Sequence, residues 1–244
     1  MQGLCSALAA SGAEEHSSSV NELLQALQDA GELLQVDCQI SSPGGCGSSH
    51  LSSFLNQHGF STNLQTDSDN LRHCNKPPSW PRDRCPRCVI YLYCDPLEVV
   101  ASHYRRGHAW HQSLKTCGKP RVHEQRAQSA FPPSLEAYCE LGIDLFGLED
   151  HFHNWKAGAN YEILIVRYEH VFDPPVAQAL FSRLCAPRNL TATQVEDLAA
   201  KWTSSKKERQ SKVPDICRTS SMYINLQKEM NQMPPFVVLP KSGS

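Results

Sequence analysis

The sequence lacks any run of apolar residues approaching the roughly eighteen that cross a membrane, so it predicts no membrane span. It also lacks an excess of positive charge: 23 Lys and Arg stand against 25 Asp and Glu, for a formal net charge of −2. General nucleic-acid binders usually carry a basic surplus, so we do not expect a nucleic-acid partner. Any site for an anionic ligand must therefore depend on a local group of cations.

The start of the sequence lacks the charged-then-apolar pattern of a signal peptide. Cysteine, by contrast, is plentiful: the chain has 11, an odd number, at irregular spacing. A chain of 244 residues can bury a core large enough to fold without disulfide staples. We therefore expect reduced, mostly buried thiols and a cytoplasmic location.

Hydrophobic periodicity divides the chain into alternating strands and helices, with a small, polar, flexible N-terminus at residues 1–18. Predicted strands are 36–40, 89–93 and 161–166; predicted helices are 20–34, 48–58, one from Pro96, 134–155, 175–185 and 193–202. This alternation predicts the α/β class: a single domain with a central parallel sheet flanked by helices, at residues 19–204. We expect residues 205–244 to be an extension that packs on or covers this domain.

Two stretches between these elements have no clear period. Residues 60–88 contain several prolines and read as irregular, and residues 107–133 read as one long loop rich in His, Lys, Arg and Gln. A loop of that length in a compact domain is often an active-site cover. Neither segment carries a recognisable motif.

The first informative motif is VDCQISSPGGCGSSHL, which reads as a buried strand, a glycine-rich turn and a helix start. Backbone amides can turn inward at Gly44, Gly45 and Gly47, and hydroxyl groups stand at the helix start on Ser48 and Ser49. Unpaired amides, the positive end of the helix dipole and hydroxyl donors together favour an anion. The motif predicts a phosphate site.

The second motif, VIYLYCDPLEVVASHYRR, repeats the plan of strand, turn and helix. Asp95-Pro96 starts its helix, because proline suits the first helical turn. Ser102, Arg105 and Arg106 follow on that helix. Two such units predict a parallel-sheet protein that binds a ligand with phosphates at both ends.

A nucleotide hydrolase or kinase is not favoured by these residues. Its turn would need the pattern Gly-x-x-x-x-Gly-Lys-Ser/Thr, with the lysine on the terminal phosphates and the hydroxyl on magnesium. Here Gly47 is followed by Ser48, and Ser42 occupies the position of the first glycine. The lysine is missing, and no second magnesium carboxylate is evident.

The two motifs resemble those of the sulfotransferase superfamily, which transfers a sulfuryl group from 3′-phosphoadenosine 5′-phosphosulfate (PAPS). The family's loop, Pro-Lys/Arg-Ser-Gly-Thr-Thr-Trp, is in register with residues 44–50, and its Arg-Asn/Asp-Pro motif with a later Ser is in register with Cys94-Asp95-Pro96 and Ser102. The pair Tyr168-Glu169 follows a strand, as is typical of the family. The resemblance covers residues 36–185 and implies the P-loop sulfotransferase fold.

The resemblance also implies site roles. His73 lies 21 residues before Cys94, where the family has its catalytic base, and would remove the proton from an acceptor hydroxyl or amine. Tyr168 would lie beside adenine, and no metal is required. The implied cofactor-binding residues are Gly44, Gly45, Cys46, Gly47, Ser48, Ser49, His50, Cys94, Ser102, Arg105, Arg106 and Tyr168. The partners implied are PAPS, its product 3′,5′-adenosine bisphosphate (PAP) and a small-molecule acceptor.

The sequence departs from the family at three useful positions. Gly45 replaces the loop lysine, His50 the adenine-stacking tryptophan, and Cys94 the arginine for the 3′-phosphate. Since the loss of one electrostatic donor costs about 10²–10³ in rate, other cations must substitute or activity is weakened. Besides Arg105 and Arg106, the candidates are Lys115, Lys119, Arg121, Lys206, Lys207 and Arg209.

Three alternatives stay open. The chain could be a nucleotide-binding or interaction protein that kept the fold and lost transfer activity, which the residues at 45 and 94 favour. It could be a Golgi carbohydrate sulfotransferase separated from its anchor. Cys85 and Cys88, with His73 and Cys74 upstream, could hold zinc, although a paired Cys-x-x-Cys normally needs a second pair.

Overall fold

The structure is a computed structural model and describes residues 36–80, 85–118, 128–208 and 212–241. The predictions of a flexible segment at 1–18 and a helix at 20–34 lie outside the described residues.

A four-stranded sheet forms the centre of the protein, in the order β1 (Cys38–Ser41), β2 (Cys88–Tyr93), β3 (Ile163–Arg167) and β4 (Phe236–Leu239). β1 pairs parallel with β2 and β2 with β3, whereas β4 is antiparallel to β3. The prediction of an α/β protein with a mainly parallel central sheet is confirmed. The antiparallel edge was not predicted.

β2 and β3 have apolar runs because both faces of these strands are covered. All six residues of β2 are buried, and in β3 the four residues from Ile163 to Val166 are fully buried. Central strands of parallel sheets have this composition because helices pack on both faces. The two strands therefore fix the position of the turns that follow them.

The described residues form nine helices: α1 (Ser48–Gln57), α2 (Pro96–Arg105), α3 (Ala109–Thr116), α4 (Leu135–Leu141), α5 (Leu148–Lys156), α6 (Pro174–Cys185), α7 (Ala192–Ser204), α8 (Asp215–Arg218) and α9 (Ile224–Gln232). Four of them (α1, α2, α6 and α7) were predicted near their observed places. Short 3₁₀ helices cover Tyr168–His170 and Ala186–Arg188. In the described part of the chain, no helix has both the length and the apolar character that crossing a membrane requires.

Two predictions about local structure were wrong. The expected long loop at 107–133 contains α3, whose buried residues Ala109, Gln112, Ser113 and Thr116 have helical spacing but are mostly polar. A search for apolar periodicity misses such a helix. The single helix expected at 134–155 is two helices, because Gly142 ends α4 in the left-handed conformation.

The C-terminal region supplies part of the sheet. α8 and α9 follow residue 212, and β4 then pairs with β3 along the register from Ile163–Leu239 to Val166–Phe236. The carbonyl oxygen of Pro235 accepts the N–H of Arg167 at 2.9 Å. The strand was not predicted from the sequence, because Pro234 and Pro235 directly precede it and interrupt the pattern.

Candidate functional site

The two motifs meet in space at the carboxyl ends of adjacent parallel strands. β1 and β2 are paired from Cys38–Cys88 to Ser41–Tyr91, so the turns that follow them lie side by side. A Cβ placed on Gly45 would lie 3.0 Å from the Cβ of Ser102 and 3.3 Å from the Cα of Val99. The glycine loop, residues 42–47, therefore packs directly on α2.

Each glycine of this loop faces a side chain from another element. Gly44 lies against the His103 ring, where an added Cβ would be 2.5 Å from its Nε2, and Gly47 lies against the ring of Tyr168. All three glycines have positive φ, a conformation that residues with a Cβ rarely adopt. The glycines are thus required twice, for the turn and for the close approach.

The same packing explains the missing lysine. A side chain at position 45 would need both the left-handed conformation, with φ of 67°, and space that Ser102 and Val99 occupy. The family's loop cation cannot occupy this position unless the loop moves away from α2. A cation for this site has to come from another segment.

The first turn of α1 is open to a ligand. Its N-cap is Gly47, and no side chain within the described residues caps this turn. The first amides of a helix have no intrahelical acceptor, and the helix dipole makes this end positive. Ser48 is buried and its Oγ accepts a hydrogen bond from Ser42 Oγ at 3.1 Å, whereas Ser49 is exposed. Amides and hydroxyls here suit an anion.

Arg72 brings a cation to this turn. Its guanidinium Nη1 donates to Ser49 Oγ at 2.9 Å, and Nη2 reaches Ser52 Oγ at 3.4 Å. The residue is 1% exposed, and its Nε has no hydrogen-bond partner among the described residues. Burial lowers the pKa of Arg72, while Asp67 and Asp69 act in the opposite direction. A buried guanidinium keeps its charge, so it is a fixed positive group beside the anion site.

The segment that carries Arg72 is fixed by the end of β1. The Arg72 carbonyl oxygen accepts the N–H of Ser42 at 2.8 Å and the hydroxyl of Ser41 at 3.1 Å. These bonds place the next residue, His73, against the glycine loop. The predicted base, His73, is therefore held at the loop by the bonds of Arg72 to Ser42 and Ser41, which lie 30 and 31 residues earlier in the sequence.

The His73 ring has the protonation pattern of a base. Its Nδ1 lies 2.8 Å from the carbonyl oxygen of Ser42. A carbonyl oxygen accepts only, so Nδ1 donates its hydrogen and Nε2 keeps a lone pair in the neutral ring. Burial lowers the pKa of His73, which favours the neutral form at pH 7. Nε2 is thus able to accept a proton.

An ion pair between Lys115 and Asp67 acts electrostatically on His73. Lys115 Nζ lies 2.5 Å from Asp67 Oδ2, and both side chains are largely buried. Asp67 raises the pKa of His73 and Lys115 lowers it, so the two charges act on the ring in opposite directions. Asp67 also accepts the N–H of Arg72 at 2.9 Å. α3 therefore contributes a cation to the site from the segment expected to be a loop.

The N-terminus of α2 is closed. Asp95 Oδ1 accepts the N–H groups of Leu97 at 2.9 Å and Glu98 at 3.3 Å, and its Oδ2 accepts from Gln227 Nε2 at 2.9 Å. The N–H of Asp95 itself donates to Glu169 Oε1 at 3.0 Å. Because a carboxylate already occupies these donors, a phosphate near α2 has to be held by side chains.

The Tyr168-Glu169 pair joins the two units. Tyr168 lies on Gly47 of the first motif, and Glu169 bonds to Asp95 of the second. Arg167 Nε holds the other carboxylate oxygen of Glu169 at 3.1 Å. Tyr168 therefore lies against the glycine loop, and its place beside adenine stays a prediction.

His50 lies in an aromatic cluster beside α1. Its ring is 4.9 Å from that of Trp202 and 5.8 Å from that of Phe172. Burial lowers the pKa of His50, and the charge of Lys207 lowers it further. Lys207 is therefore close to the start of α1. Lys119, Arg121 and Arg209, which were also named as candidate cations, lie outside the described residues.

On α2, the predicted residues separate into buried and exposed groups. Ser102 is buried against the loop, and Arg105 is exposed. Arg106 folds back over the helix end: Nε donates to the Ser102 carbonyl oxygen at 3.0 Å, and Nη2 lies 3.4 Å from His103 Nδ1. Burial and then Arg105 lower the pKa of Arg106, whereas Cys46 raises it. Arg106 is thus the α2 cation closest to the glycine loop.

Cys46 and Cys94 meet beneath the loop. Cys46 is 0% exposed and Cys94 is 1% exposed, and their Sγ atoms are 3.0 Å apart. Cys46 also donates to the Gly44 carbonyl oxygen at 3.1 Å. Two predicted binding residues therefore contact each other in the interior of the site, and their side chains face away from solvent.

Sequence reasoning underrated three residues of this site. Arg72 and His103 were not among the predicted site residues, and Lys115 was assigned to a loop. His103 Nε2 donates to the Pro43 carbonyl oxygen at 3.1 Å, and Gln112 from α3 reaches the same oxygen at 3.4 Å. For Lys115 and Gln112, the available signal was the helical spacing of the polar residues Gln112, Ser113 and Thr116 with Ala109.

Within the described residues, no group of three or more His, Cys, Asp or Glu side chains is arranged to hold a metal ion. Comparison of the chain with known protein families, with curated proteins and with solved structures finds no match to any of them.

Proposed function

We propose that this protein binds PAPS and transfers its sulfuryl group to the hydroxyl or amine of a small-molecule acceptor. The observation that carries the proposal is the contact between the glycine loop and α2, through Gly45 and Ser102. This contact places the uncapped start of α1 next to the hydroxyl of Ser102 and the guanidinium of Arg106 on α2. A ligand with phosphates at both ends needs such a pair of sites.

The 5′-phosphosulfate is assigned to the start of α1. Its amides lack a side-chain cap within the described residues, and Ser49 adds a hydroxyl that already bonds to Arg72. Hydrogen bonds between a guanidinium or amide and a phosphate oxygen are about twice as strong as neutral ones. Arg72 thus supplies charge that the family draws from the lysine replaced by Gly45.

The 3′-phosphate is assigned to Ser102 and Arg106. Both lie at the loop-facing end of α2, and Arg106 spans from the Ser102 carbonyl oxygen to His103. Cys94 is buried against Cys46 and carries no positive charge, so Arg106 is the substitute for the family's arginine. Because Arg106 lies further along the helix than the family's arginine, we expect it to bind the 3′-phosphate of PAPS more weakly.

His73 is assigned as the general base. Nδ1 donates to the Ser42 carbonyl oxygen, which leaves the Nε2 lone pair for the acceptor's proton. The acceptor oxygen or nitrogen then attacks sulfur in line, the bond from sulfur to the bridging phosphate oxygen breaks, and PAP leaves. General-base catalysis of this kind contributes about 10²–10⁴ in rate.

A second function is favoured by the burial of Cys94 and by the close packing of Ser102 and Val99 against Gly45. In this alternative, the protein binds the nucleotide and no longer transfers sulfuryl groups. The two functions share the binding site and differ in the need for His73. A binding measurement and a transfer measurement on the same protein separate them.

The first experiment is a calorimetric titration with PAP, followed by incubation with labelled PAPS and a panel of hydroxyl and amine acceptors. Binding together with transfer supports the sulfotransferase. Binding without transfer to any acceptor supports the nucleotide-binding alternative. If PAP does not bind, both functions are wrong.

The second experiment separates binding from chemistry. Ser48→Ala with Ser49→Ala should abolish PAP binding, because the first turn of α1 loses both hydroxyls. The matched control is Ser182→Ala on α6, where the serine is exposed and away from the loop. His73→Ala should retain binding and lower transfer by about 10²–10⁴, whereas His153→Ala on α5 should change neither. Full turnover by His73→Ala would refute its role as base.

A further inference from the structure

The thiols of Cys46 and Cys94 form a pair that belongs to the glycine loop on one side and to the end of β2 on the other. Their Sγ atoms are 3.0 Å apart, and both residues are almost fully buried. A disulfide bond has a length of about 2.05 Å, so the sulfurs need to approach by about 1 Å. The two cysteines are 48 residues apart in sequence, and the contact is purely tertiary.

One group near Cys46 favours its oxidation, whereas the burial of the thiol opposes it. The thiolate is the form that reacts, and a nearby cation stabilises it. Arg106 interacts electrostatically with Cys46, as the effect of this cysteine on the Arg106 pKa shows. Cys46 is also flanked by Gly45 and Gly47, so its immediate neighbours have no side chains of their own. Because Cys46 is buried, a small oxidant reaches its sulfur only when the loop moves away from α2.

We propose that Cys46 and Cys94 are a redox site, which closes to a disulfide under a hydroperoxide and thereby weakens binding of the anionic nucleotide at the glycine loop. The regulatory half of this inference rests on the proposed function. The chemistry of the disulfide itself does not.

The step balances with one hydroperoxide for each disulfide. The Cys46 thiolate attacks the peroxide oxygen, the O–O bond breaks, and a sulfenic acid forms on Cys46. The Cys94 sulfur then attacks the Cys46 sulfur, an S–S bond forms and the sulfenic oxygen leaves as water. In total two thiols and one hydrogen peroxide give one disulfide and two waters. A dithiol such as dithiothreitol reverses the reaction by exchange.

The effect on binding follows from the position of Cys46. It lies in the loop that carries the amides for the anion, and Cys94 directly precedes Asp95, the cap of α2. An approach of about 1 Å draws the loop amides away from hydrogen-bond distance of a bound phosphate oxygen, which is about 2.7–3.2 Å. We expect oxidation to raise the Kd for PAP about tenfold.

Two other cysteine pairs serve as internal controls. The Cys38 thiol hydrogen-bonds to Cys88 across the paired strands β1 and β2, and the Cys139 thiol hydrogen-bonds to Cys217. Neither pair belongs to the glycine loop. Cys88→Ser is therefore the matched variant for Cys94→Ser, because it removes the neighbouring pair and leaves the proposed one intact.

The test is peptide mapping by mass spectrometry after treatment with hydrogen peroxide, under non-reducing conditions. Trypsin is unsuitable, because no Lys or Arg precedes Arg72 and both Cys88 and Cys94 fall between Arg87 and Arg105. Chymotrypsin cleaves after Tyr93 and separates Cys88 from Cys94. The expected product joins the Cys46 peptide to the Cys94 peptide, and it should form in wild type and Cys88→Ser but not in Cys94→Ser.

The functional readout is the ratio of PAP affinity before and after oxidation within each variant. This ratio should be about ten in wild type and Cys88→Ser and near one in Cys94→Ser, whatever the basal affinity of that variant. Absence of the cross-linked peptide overturns the redox site. A cross-link with an unchanged ratio overturns its control of binding.

The two proposals fail in different ways. If reduced protein does not bind PAP, the proposed function is wrong, and control of PAP binding is overturned with it. The peptide map still decides the disulfide, because it requires no nucleotide. If reduced protein binds PAP and no disulfide forms, the redox site alone is overturned.

Discussion

The two strand–turn–helix units of this protein have the same order of elements but differ in whether a side chain caps the helix start. In the first unit, α1 begins at Gly47 and receives no side-chain cap within the described residues. In the second, Asp95 caps α2 through two backbone amides and is held in turn by Gln227. The comparison indicates that only the first helix start is available to an anion.

The difference has a physical origin in the turn residues. Glycines allow the first turn to bend with positive φ and to approach α2, but they leave the helix amides without an acceptor. A carboxylate at position 95 satisfies the amides of α2 and opposes a phosphate by its charge. In the proposed function, the first unit therefore binds the anion through its backbone, and the second contributes side chains further along its helix.

The largest expected effect comes from filling the space beside Gly44. Gly44→Ala should lower the free energy of unfolding by about 3 kcal/mol, from about 1–2 for the left-handed backbone and about 1–3 for the overlap with the His103 ring. Chemical denaturation followed by circular dichroism measures this change.

Gly59→Ala is the control for the backbone contribution. Gly59 has φ of 80°, yet nothing lies within 4 Å of an added Cβ. We expect a cost of about 1–2 kcal/mol, the backbone contribution alone. Equal costs for the two variants would show that the loop does not pack on α2 in solution.

The next effect comes from charging the histidine that joins the two units. Burial lowers the pKa of His103 to about 3, so its ring is neutral in the folded state, where it donates to Pro43. The unfolded chain has an ordinary histidine pKa near 6.5 and binds the proton first as the pH falls. Stability from this group is complete above about pH 6.5 and is lost as the pH falls below it.

The measurement is the difference between the unfolding free energies at pH 7.5 and pH 5. Wild type should lose about 2 kcal/mol more over this interval than His103→Gln, which has no titrating ring. His151 is also buried with a pKa lowered to about 3, and it contributes equally to both proteins. An identical pH dependence in the two proteins would mean that His103 is not buried at the loop.

The smallest effect tests the closed end of the comparison. Asp95→Ala should lower the unfolding free energy by about 1 kcal/mol, since α2 loses its cap. Thr191→Ala removes the capping box at the start of α7, a cap outside both turns, and should cost a similar amount. If Asp95→Ala costs nothing, the second helix start is not closed by this carboxylate.

Local sequence predicted the elements near the site well, for physical reasons that act over a few residues. Glycines, the Asp95-Pro96 start and the apolar runs of β2 and β3 place their turns and strands without distant contacts. α3 was missed because its buried face contains Gln112, Ser113 and Thr116, which carry no apolar period. Gln112 is held by a tertiary hydrogen bond to Pro43, and the hydroxyls of Ser113 and Thr116 bond to carbonyl oxygens within the helix. β4 was missed because an edge strand with half-buried residues has a weak pattern.

The candidate site was predicted in part. His73, Ser102 and Tyr168 all lie against the glycine loop, as the order of the motifs led us to expect. The roles proposed for them in binding and transfer stay predictions. The cation beside Ser49 was not foreseen, because Arg72 reaches it through the fold of residues 60–74 along the end of β1.

The sequence by itself determined the three parallel strands, the glycine bend and the capped start of α2, because backbone preference and capping act within about four residues. The tertiary structure decided which side chain faces each glycine, which cation reaches the uncapped helix and which two thiols meet beneath the loop. Those contacts join residues 23, 48 and 60 positions apart in the chain. The thiol and histidine contacts exist because parallel pairing of β1 with β2 brings the two turns to the same edge of the sheet, and the Arg72 contact exists because residues 60–74 run along the end of β1.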